Sequence, residues 1–107
     1  MEFQLGSALL DACVLAVLAQ EDCYGYSLTA RIREVVTISE STLYPVLRRL
    51  QKEGLLTTYD QPYQGRNRRY YRITDEGRAQ ALAYQKQWRH FQKQINQILQ
   101  GAEEDDC

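Results

Sequence analysis

The chain has 107 residues, 44% of them hydrophobic, and a formal net charge of −1, which suits one domain with a modest core rather than two domains. Its longest apolar run, ACVLAVLA at 12–19, is shorter than the ~20 residues that a membrane helix needs, so we expect a soluble cytoplasmic protein with no membrane partner. The three cysteines form no CxxC pair, and this spacing argues against a zinc site and against a disulfide framework.

The first half of the chain contains two stretches in which apolar residues recur at helical spacing. Leu10, Val14 and their apolar neighbours predict a first helix over about 8–20. The acidic EDCYG that follows contains a glycine and ends this helix. The segment YSLTARIREVV repeats the apolar spacing, so we expect a short second helix over about 26–35 that Gly25 can start.

A third helix follows a short turn and carries a proline in its interior. Ser39 can cap this helix, and Gly54 can end it in the left-handed conformation that glycine adopts. Pro45 falls on the exposed side, where it leaves the apolar face intact and predicts a slightly bent N-terminal tip. The sequence leaves open whether Pro45 contacts another molecule or only shapes the start of the helix. The apolar face predicted to enter the core comprises Leu43, Val46, Leu47 and Leu50.

Beyond Gly54 the apolar residues change from a helical period to an alternating one, which is typical of strands. LLTTYD and RRYYRIT are rich in strand-forming residues and flank QPYQGRN, whose proline and glycine predict a reversal. We therefore expect a β-hairpin in which Tyr70 and Tyr71 point to opposite faces. Helix, turn, helix and hairpin in this order predict a winged helix-turn-helix within a mainly α fold.

A long fourth helix is predicted from Thr74, which can cap it, to about Leu99. Apolar residues recur along it at intervals of three and four, as in the seam of a coiled coil. A helix of ~25 residues extends ~37 Å, which is longer than the small core covers, so we expect its far end to pack against a second copy in a homodimer. The predicted dimer interface comprises Leu10, Val14, Ala81, Tyr84, Trp88, Phe91, Ile95 and Ile98.

Positive charge is concentrated in one block of the sequence. Residues 48–72 contain seven Arg or Lys and two Asp or Glu, a net charge of +5, whereas the segments before and after it carry −4 and −2. A solvated surface would explain such a block on its own, but beside a helix-turn-helix the block favours a face that binds the phosphates of double-stranded DNA. The predicted domains are a winged helix-turn-helix DNA-binding domain at 1–74, a dimerisation helix at 75–100 and a disordered acidic tail at 101–107.

Three segments, YGYSL, STLYPVLRRLQKEGLL and GRNRRYYRITDEG, resemble in content and order the PadR family of bacterial transcriptional regulators. The resemblance covers about residues 8–99 and implies a dimeric winged-helix repressor that binds a pseudo-palindromic operator. By position it assigns the recognition helix to the start of the third helix and the wing to the hairpin tip around Gly65. Together with the charge pattern, it predicts DNA-binding roles for Ser39, Ser41, Thr42, Tyr44, Arg48, Lys52, Arg66, Arg68 and Arg69.

Trp88 is the only tryptophan, and it falls in the middle of the seam of the fourth helix. Its simplest role is packing, and the sequence leaves that interpretation open. In some short members of the resembled family, a tryptophan at this place lines a pore at the dimer interface and stacks on flat aromatic compounds. The resemblance therefore makes Trp88, with its neighbours Tyr84 and Phe91, a candidate effector site for a small planar aromatic ligand.

The sequence contains little that suits catalysis. His90 is the only histidine, and neither an HExxH motif nor a P-loop accompanies it. We therefore expect a regulator without metal or cofactor rather than an enzyme. The alternative is a winged-helix module whose basic face binds protein or RNA, and a dimer with two recognition helices would favour duplex DNA over that alternative.

Overall fold

The computed structural model describes residues 6–104, and this part of the chain contains four α-helices and three β-strands. The helices are α1 (Ser7–Gln20), α2 (Gly25–Arg33), α3 (Glu40–Lys52) and α4 (Asp75–Glu104). The strands are β1 (Cys23–Tyr24), β2 (Leu56–Tyr63) and β3 (Arg66–Ile73), and they form an antiparallel sheet in the order β1-β3-β2. Helices α2 and α3 form the helix-turn-helix and strands β2 and β3 form the wing, so the predicted winged-helix fold with a C-terminal helix is confirmed. Each helix in the described range is too short or too polar to cross a bilayer.

The core lies where α1, α2 and α3 meet the base of the sheet. Leu15, Leu28 and Leu50 are fully buried there, and each such side chain stabilises the fold by roughly 1.5–3 kcal/mol. The predicted apolar face of α3 is buried as expected, because residues that repeat every three or four positions line one side of a helix. Its members are Leu43, Val46, Leu47 and Leu50.

Both ends of α3 follow the predicted capping pattern. The amide of Thr42 donates a hydrogen bond to Oγ of Ser39 at 3.3 Å, and Gly54 ends the helix with a φ of 81°. The helix is continuous through Pro45, whose ring is exposed on the side away from the core. Because proline carries no amide hydrogen, the helical hydrogen bond that is lost here is the one to the carbonyl of Ser41.

Strand β1 lies in a stretch whose sequence pattern predicted only the end of a helix. Cys23 and Tyr24 pair with Tyr71 and Tyr70 of β3, so β3 is the central strand of the sheet. A strand of two residues has no alternation that a periodicity argument can detect. The EDCYG segment therefore ends α1, as predicted, but it also adds a third strand to the predicted hairpin.

The hairpin is longer, and its loop is shorter, than the sequence pattern indicated. Pairing of β2 with β3 continues as far as Tyr63 opposite Arg66. Gln64 and Gly65 connect the strands with φ values of 50° and 80°. Two positive φ values define a type I′ turn, whose twist matches the twist of the flanking strands. Pro62, which predicted a reversal, lies instead within β2 at the edge of the sheet.

Helix α4 begins as predicted and runs further than predicted. Thr74 caps it, because its Oγ1 accepts a hydrogen bond at 3.0 Å from the amide three residues later. The helix continues to Glu104 rather than ending near Leu99, so the first four residues of the predicted disordered tail at 101–107 are helical. A single glycine costs a helix interior only about 1 kcal/mol, so the glycine at the predicted end does not stop a helix that is already formed. Residues 105–107 lie outside the described range.

Candidate nucleic-acid interface

The N-terminal end of α3 presents a cluster of exposed hydroxyl groups. Oγ of Ser39 lies 3.0 Å from Oγ of Ser41 and 2.9 Å from Oγ1 of Thr42. These hydroxyls surround the amide end of the helix, where the helix dipole favours an anion. Hydroxyls in this position can donate hydrogen bonds to phosphate oxygens or to base edges.

Two cations lie further along the outward side of the same helix. Arg48 and Lys52 are both exposed and are four residues apart, so they lie on one side of α3. Among residues 6–104, neither of them forms an ion pair. Their charges are therefore free to meet an anionic partner.

Tyr44 connects this side of α3 to the central strand of the sheet. A Cβ added at Gly25 would lie 3.8 Å from the ring of Tyr44 and 3.6 Å from the ring of Tyr71, so both rings approach the same glycine. Burial raises the pKa of the Tyr71 hydroxyl, whereas the positive charges of Arg69 and Arg48 oppose this shift. The helix and the wing meet at this point.

The cations of the wing divide between two sides, because alternate residues of a strand face opposite ways. Arg69 lies on the same side as Tyr71 and forms a loose ion pair with Asp60 at 3.8 Å. Exposed pairs of this kind contribute little stability. Arg66 is exposed next to the turn on the opposite side of β3 from Arg69, and within the described part of the chain it has no ion-pair partner.

Arg68 lies on the opposite side of β3 from Arg69. Its guanidinium carbon is 3.7 Å from the ring centre of Tyr63 and 4.2 Å from the ring centre of Tyr24. Cation–π contacts at exposed sites contribute about 0.5–1 kcal/mol each. The sequence grouped Arg68 with Arg69 as DNA contacts; the structure places them on opposite sides of β3, and the DNA-binding role of Arg68 stays a prediction.

Two further arginines of the basic block are engaged in ion pairs. Arg49 pairs with Asp11 and with Glu53. Arg72 donates a hydrogen bond to Asp22 at 3.0 Å. The partners Asp11 and Asp22 are 38 and 50 residues away along the chain, so no local pattern marks either pair. The sequence block therefore overstates the positive charge that the surface offers to a ligand.

A second candidate site is an open apolar groove between α1 and α4. Trp88 is 43% exposed beside it, and its ring centre lies 6.3 Å from that of Phe91. The groove consists of adjoining cavities of about 320 and 280 Å³, a size that suits a small planar ring system. Burial raises the pKa of the Tyr84 hydroxyl, and the negative charge of Asp11 raises it further. The residues that line both cavities are Leu9, Ala12, Tyr84 and Trp88.

The residues predicted for a dimer interface fall into two groups. Leu10, Val14 and Ala81 are buried within the protomer and form part of its core, which corrects their assignment to an interface. Their helical spacing is that of any apolar face and does not distinguish a protomer core from an interface. The members that stay half-buried or exposed are Tyr84, Trp88, Phe91, Ile95 and Ile98.

Comparison with known proteins decides the family. The model of the transcriptional regulator PadR-like family matches residues 14–83. The chain belongs to the PadR-like family of transcriptional regulators. In this PadR-like chain the match includes the helix-turn-helix and the wing, with every side chain predicted to bind DNA, and it ends before Trp88.

Relatives of this PadR-like protein come from several bacteria. A transcriptional regulator of Mycobacterium tuberculosis is 39% identical over 79 residues, which are 73% of this chain and 72% of the relative. A crystal structure of a Streptococcus mutans protein is 38% identical, with 94% of this chain and 95% of that chain covered and a TM-score of 0.86. The crystal structure of Bacillus subtilis PadR in complex with operator DNA is 23% identical, with 71% of this chain and 45% of that chain covered and a TM-score of 0.65, and it supports the fold.

Proposed function

We propose that this PadR-like protein is a cytoplasmic transcriptional repressor that binds a pseudo-palindromic operator in duplex DNA as a homodimer. The observation that carries the proposal is the meeting of α3 and the wing, where the rings of Tyr44 and Tyr71 approach the same glycine and exposed cations lie on both elements. Arg48 is exposed on α3, and Arg69 is exposed on β3, on the same side of the strand as Tyr71. A recognition helix and a wing that share one basic surface suit adjacent segments of the DNA backbone.

The N-terminal part of α3 enters the major groove in this proposal. The hydroxyls of Ser41 and Thr42 are exposed there, and they reach base edges or phosphates. Ser39 accepts the capping hydrogen bond and lies within hydrogen-bond distance of both hydroxyls, so it orients them. Arg48 follows one to two turns later as a partner for guanine or phosphate, and Arg69 meets the phosphates from the wing, with Arg66 at the tip of the hairpin as a further candidate.

A second copy of the chain supplies the other half of the operator-binding surface. Phe91 and Ile98 are 52% and 69% exposed on α4. Burying each of these large apolar side chains against a partner stabilises the dimer by roughly 1.5–3 kcal/mol. A two-fold axis beside α4 sets two copies of α3 about 34 Å apart, which is one turn of DNA.

We assign the groove between α1 and α4 to a small planar aromatic effector that releases the repressor from DNA. Its walls combine the rings of Trp88, Phe91 and Tyr84 with the apolar surface of α1. Aromatic rings in such a wall favour flat ligands, because offset stacking adds to the burial of apolar area. The groove is open on one side, where the second protomer would complete it.

Binding to duplex DNA from the protein's own promoter region, measured by fluorescence anisotropy across salt concentrations, tests the operator proposal. Arg48→Ala should weaken binding and lower the slope of log affinity against log salt by about 0.9, the value for one phosphate contact. Arg72→Ala is the matched control, because Arg72 is paired with Asp22 on the other side of β3. Equal losses for the two variants, or equal affinity for RNA, would favour the RNA-binding or protein-binding module instead.

Tryptophan fluorescence tests the effector site, because Trp88 is the only tryptophan. The dye anilinonaphthalene sulfonate carries a flat naphthalene ring and is anionic, so DNA repels it and does not compete for it. The dye should quench Trp88 and weaken operator binding over the same concentration range. Trp88→Leu, which leaves no tryptophan to quench, should abolish the effect of the dye on operator binding in a folded protein. If the emission of Trp88 does not change when the dye is added, the assignment of the groove to an aromatic effector is contradicted.

A further inference from the structure

One buried carboxylate connects α1 to the helix proposed to read DNA and to the helix that lines the groove. Asp11 of α1 is 6% exposed. Its Oδ1 accepts a hydrogen bond from Nη2 of Arg49 on α3. Its Oδ2 accepts a hydrogen bond from the hydroxyl of Tyr84 on α4 at 3.4 Å. A single side chain of α1 is therefore shared by α3 and α4.

The contact with α3 is an ion pair that is fixed at both ends. A buried carboxylate needs a cation and further hydrogen bonds, because removing its charge from water is costly. Arg49 supplies the cation, and its other terminal nitrogen donates to Glu53 at 2.9 Å. The hydrogen bond to Asp11 is the largest cause that raises the pKa of Arg49 above its usual value. The guanidinium thus ties the C-terminal half of α3 to α1.

Arg48 and Arg49 share the same helix, so a rotation of α3 changes the direction of both. The two residues are adjacent in α3, and successive side chains of a helix differ in direction by about 100°. Arg49 turns toward Asp11 while Arg48 stays on the exposed side. A small rotation of α3 about its axis would therefore move Arg48 relative to the wing.

Tyr84 connects the same carboxylate to the groove. Its side chain lines both cavities together with Trp88, while its hydroxyl reaches Asp11. A flat molecule that lies against Trp88 has to share the groove with the Tyr84 ring. A shift of that ring removes the hydrogen bond to Asp11.

We infer that Asp11 is a positioning residue that couples the groove to the DNA-reading helix through Tyr84 and Arg49. The inference rests on the proposed function and adds the path by which an occupant of the groove changes operator affinity. When the Tyr84 hydroxyl moves away, Asp11 loses that hydrogen bond and keeps Arg49 as its partner. The carboxylate of Asp11 then shifts, and Arg49 shifts with it. Helix α3 then leaves the orientation that suits the operator.

The protein contains a matched control for this arrangement. Asp22 accepts hydrogen bonds from the hydroxyl of Tyr59 at 2.7 Å and from Arg72 at 3.0 Å, so it joins the same residue types. Its partners lie on β2 and β3 rather than on α3 and α4. Removing the hydroxyl of Tyr59 or of Tyr84 is therefore the same chemical change beside different elements.

Operator affinity of Tyr84→Phe and Tyr59→Phe, measured by anisotropy on folded dimers, tests the inference. Tyr84→Phe should weaken binding by about 3- to 10-fold. The salt slope should fall by less than the ~0.9 expected for Arg48→Ala, because Arg48 is displaced but not removed, and the anilinonaphthalene dye should no longer weaken binding further. Tyr59→Phe should behave as wild type in each measurement. A Tyr84→Phe protein that binds the operator and responds to the dye as wild type does would overturn the inference.

Amide hydrogen exchange distinguishes failure of this inference from failure of the proposed function. Asp11→Asn and Tyr84→Phe should both speed exchange in the C-terminal half of α3, while Asp22→Asn should leave it unchanged. If the wild-type protein does not bind the operator, the proposed function fails, and exchange alone then decides whether Asp11 holds α3. If amide exchange in α3 stays at the wild-type rate in Tyr84→Phe, the inferred coupling of Tyr84 to α3 through Asp11 is wrong.

Discussion

The two halves of α4 differ in how deeply their apolar residues are buried. The near half, 75–87, packs on the core of its own protomer, where Gly77 and Ala81 are buried. The far half, 88–104, leaves Phe91 52% exposed. The same spacing of three and four runs through both halves, so the pattern does not reveal where the protomer core ends. Changes in the near half should therefore act on folding, and changes in the far half should act on assembly.

The largest effect is expected at Gly77, in the near half. A Cβ at this position would lie 2.2 Å from the carbonyl oxygen of Leu55, which forces the backbone to move. Gly77→Ala should therefore lower the free energy of unfolding by about 3 kcal/mol, as measured by urea denaturation. Gly101→Ala is the control, because a Cβ there meets no atom of the described chain within 4 Å. That alanine should stabilise the helix by up to ~1 kcal/mol, and equal stability of the two variants would remove the distinction between the halves.

A charge in the far half should separate the protomers without unfolding them. Phe91→Glu places a carboxylate where we propose that two copies of α4 meet, and it should raise the dimer dissociation constant by about 10-fold or more. Sedimentation equilibrium measures this constant directly. Leu82→Glu is the matched control, because Leu82 is 60% exposed but lies outside the seam. A Phe91→Glu protein that dimerises as well as Leu82→Glu would show that the far half has another role.

The smallest effect is expected at the border between the halves. Trp88 is 43% exposed in the protomer, and a second copy of α4 should shield it from water. Its emission maximum should shift to shorter wavelength as the protein concentration rises, whereas Phe91→Glu should keep the long-wavelength emission throughout. An emission maximum that stays constant across the dissociation range would contradict assembly through this part of the helix.

Features that depend on near neighbours could be predicted from the sequence. Ser39 and Thr74 cap α3 and α4 because each hydroxyl bonds to an amide three residues later, within the same segment. The hairpin followed from alternation and from a glycine in the turn, although the pattern placed too many residues in the loop. Strand β1 was missed because Cys23 and Tyr24 are too few to show a period.

Features that depend on distant partners could not be predicted. Arg49 and Arg72 find carboxylates 38 and 50 residues away, and nothing near them in the sequence marks those carboxylates as partners. Arg68 lies between the rings of Tyr24 and Tyr63, a contact that requires the unpredicted strand β1. Sequence therefore located the basic surface on α3 and the wing, while the division into exposed and engaged cations required the fold. The DNA-binding roles of all the residues named for them stay predictions.

Strand β2 forms one rim of the sheet, and Pro62 lies within it. A two-residue turn joins Tyr63 to Arg66, so these two residues exchange both of their backbone hydrogen bonds. In the next pair, Pro62 and Asn67, the backbone nitrogens therefore point away from each other. Because proline has no hydrogen on its nitrogen, the outer rim lacks a donor where a strand of another molecule would dock. The wing can therefore project into solvent without seeding edge-to-edge aggregation.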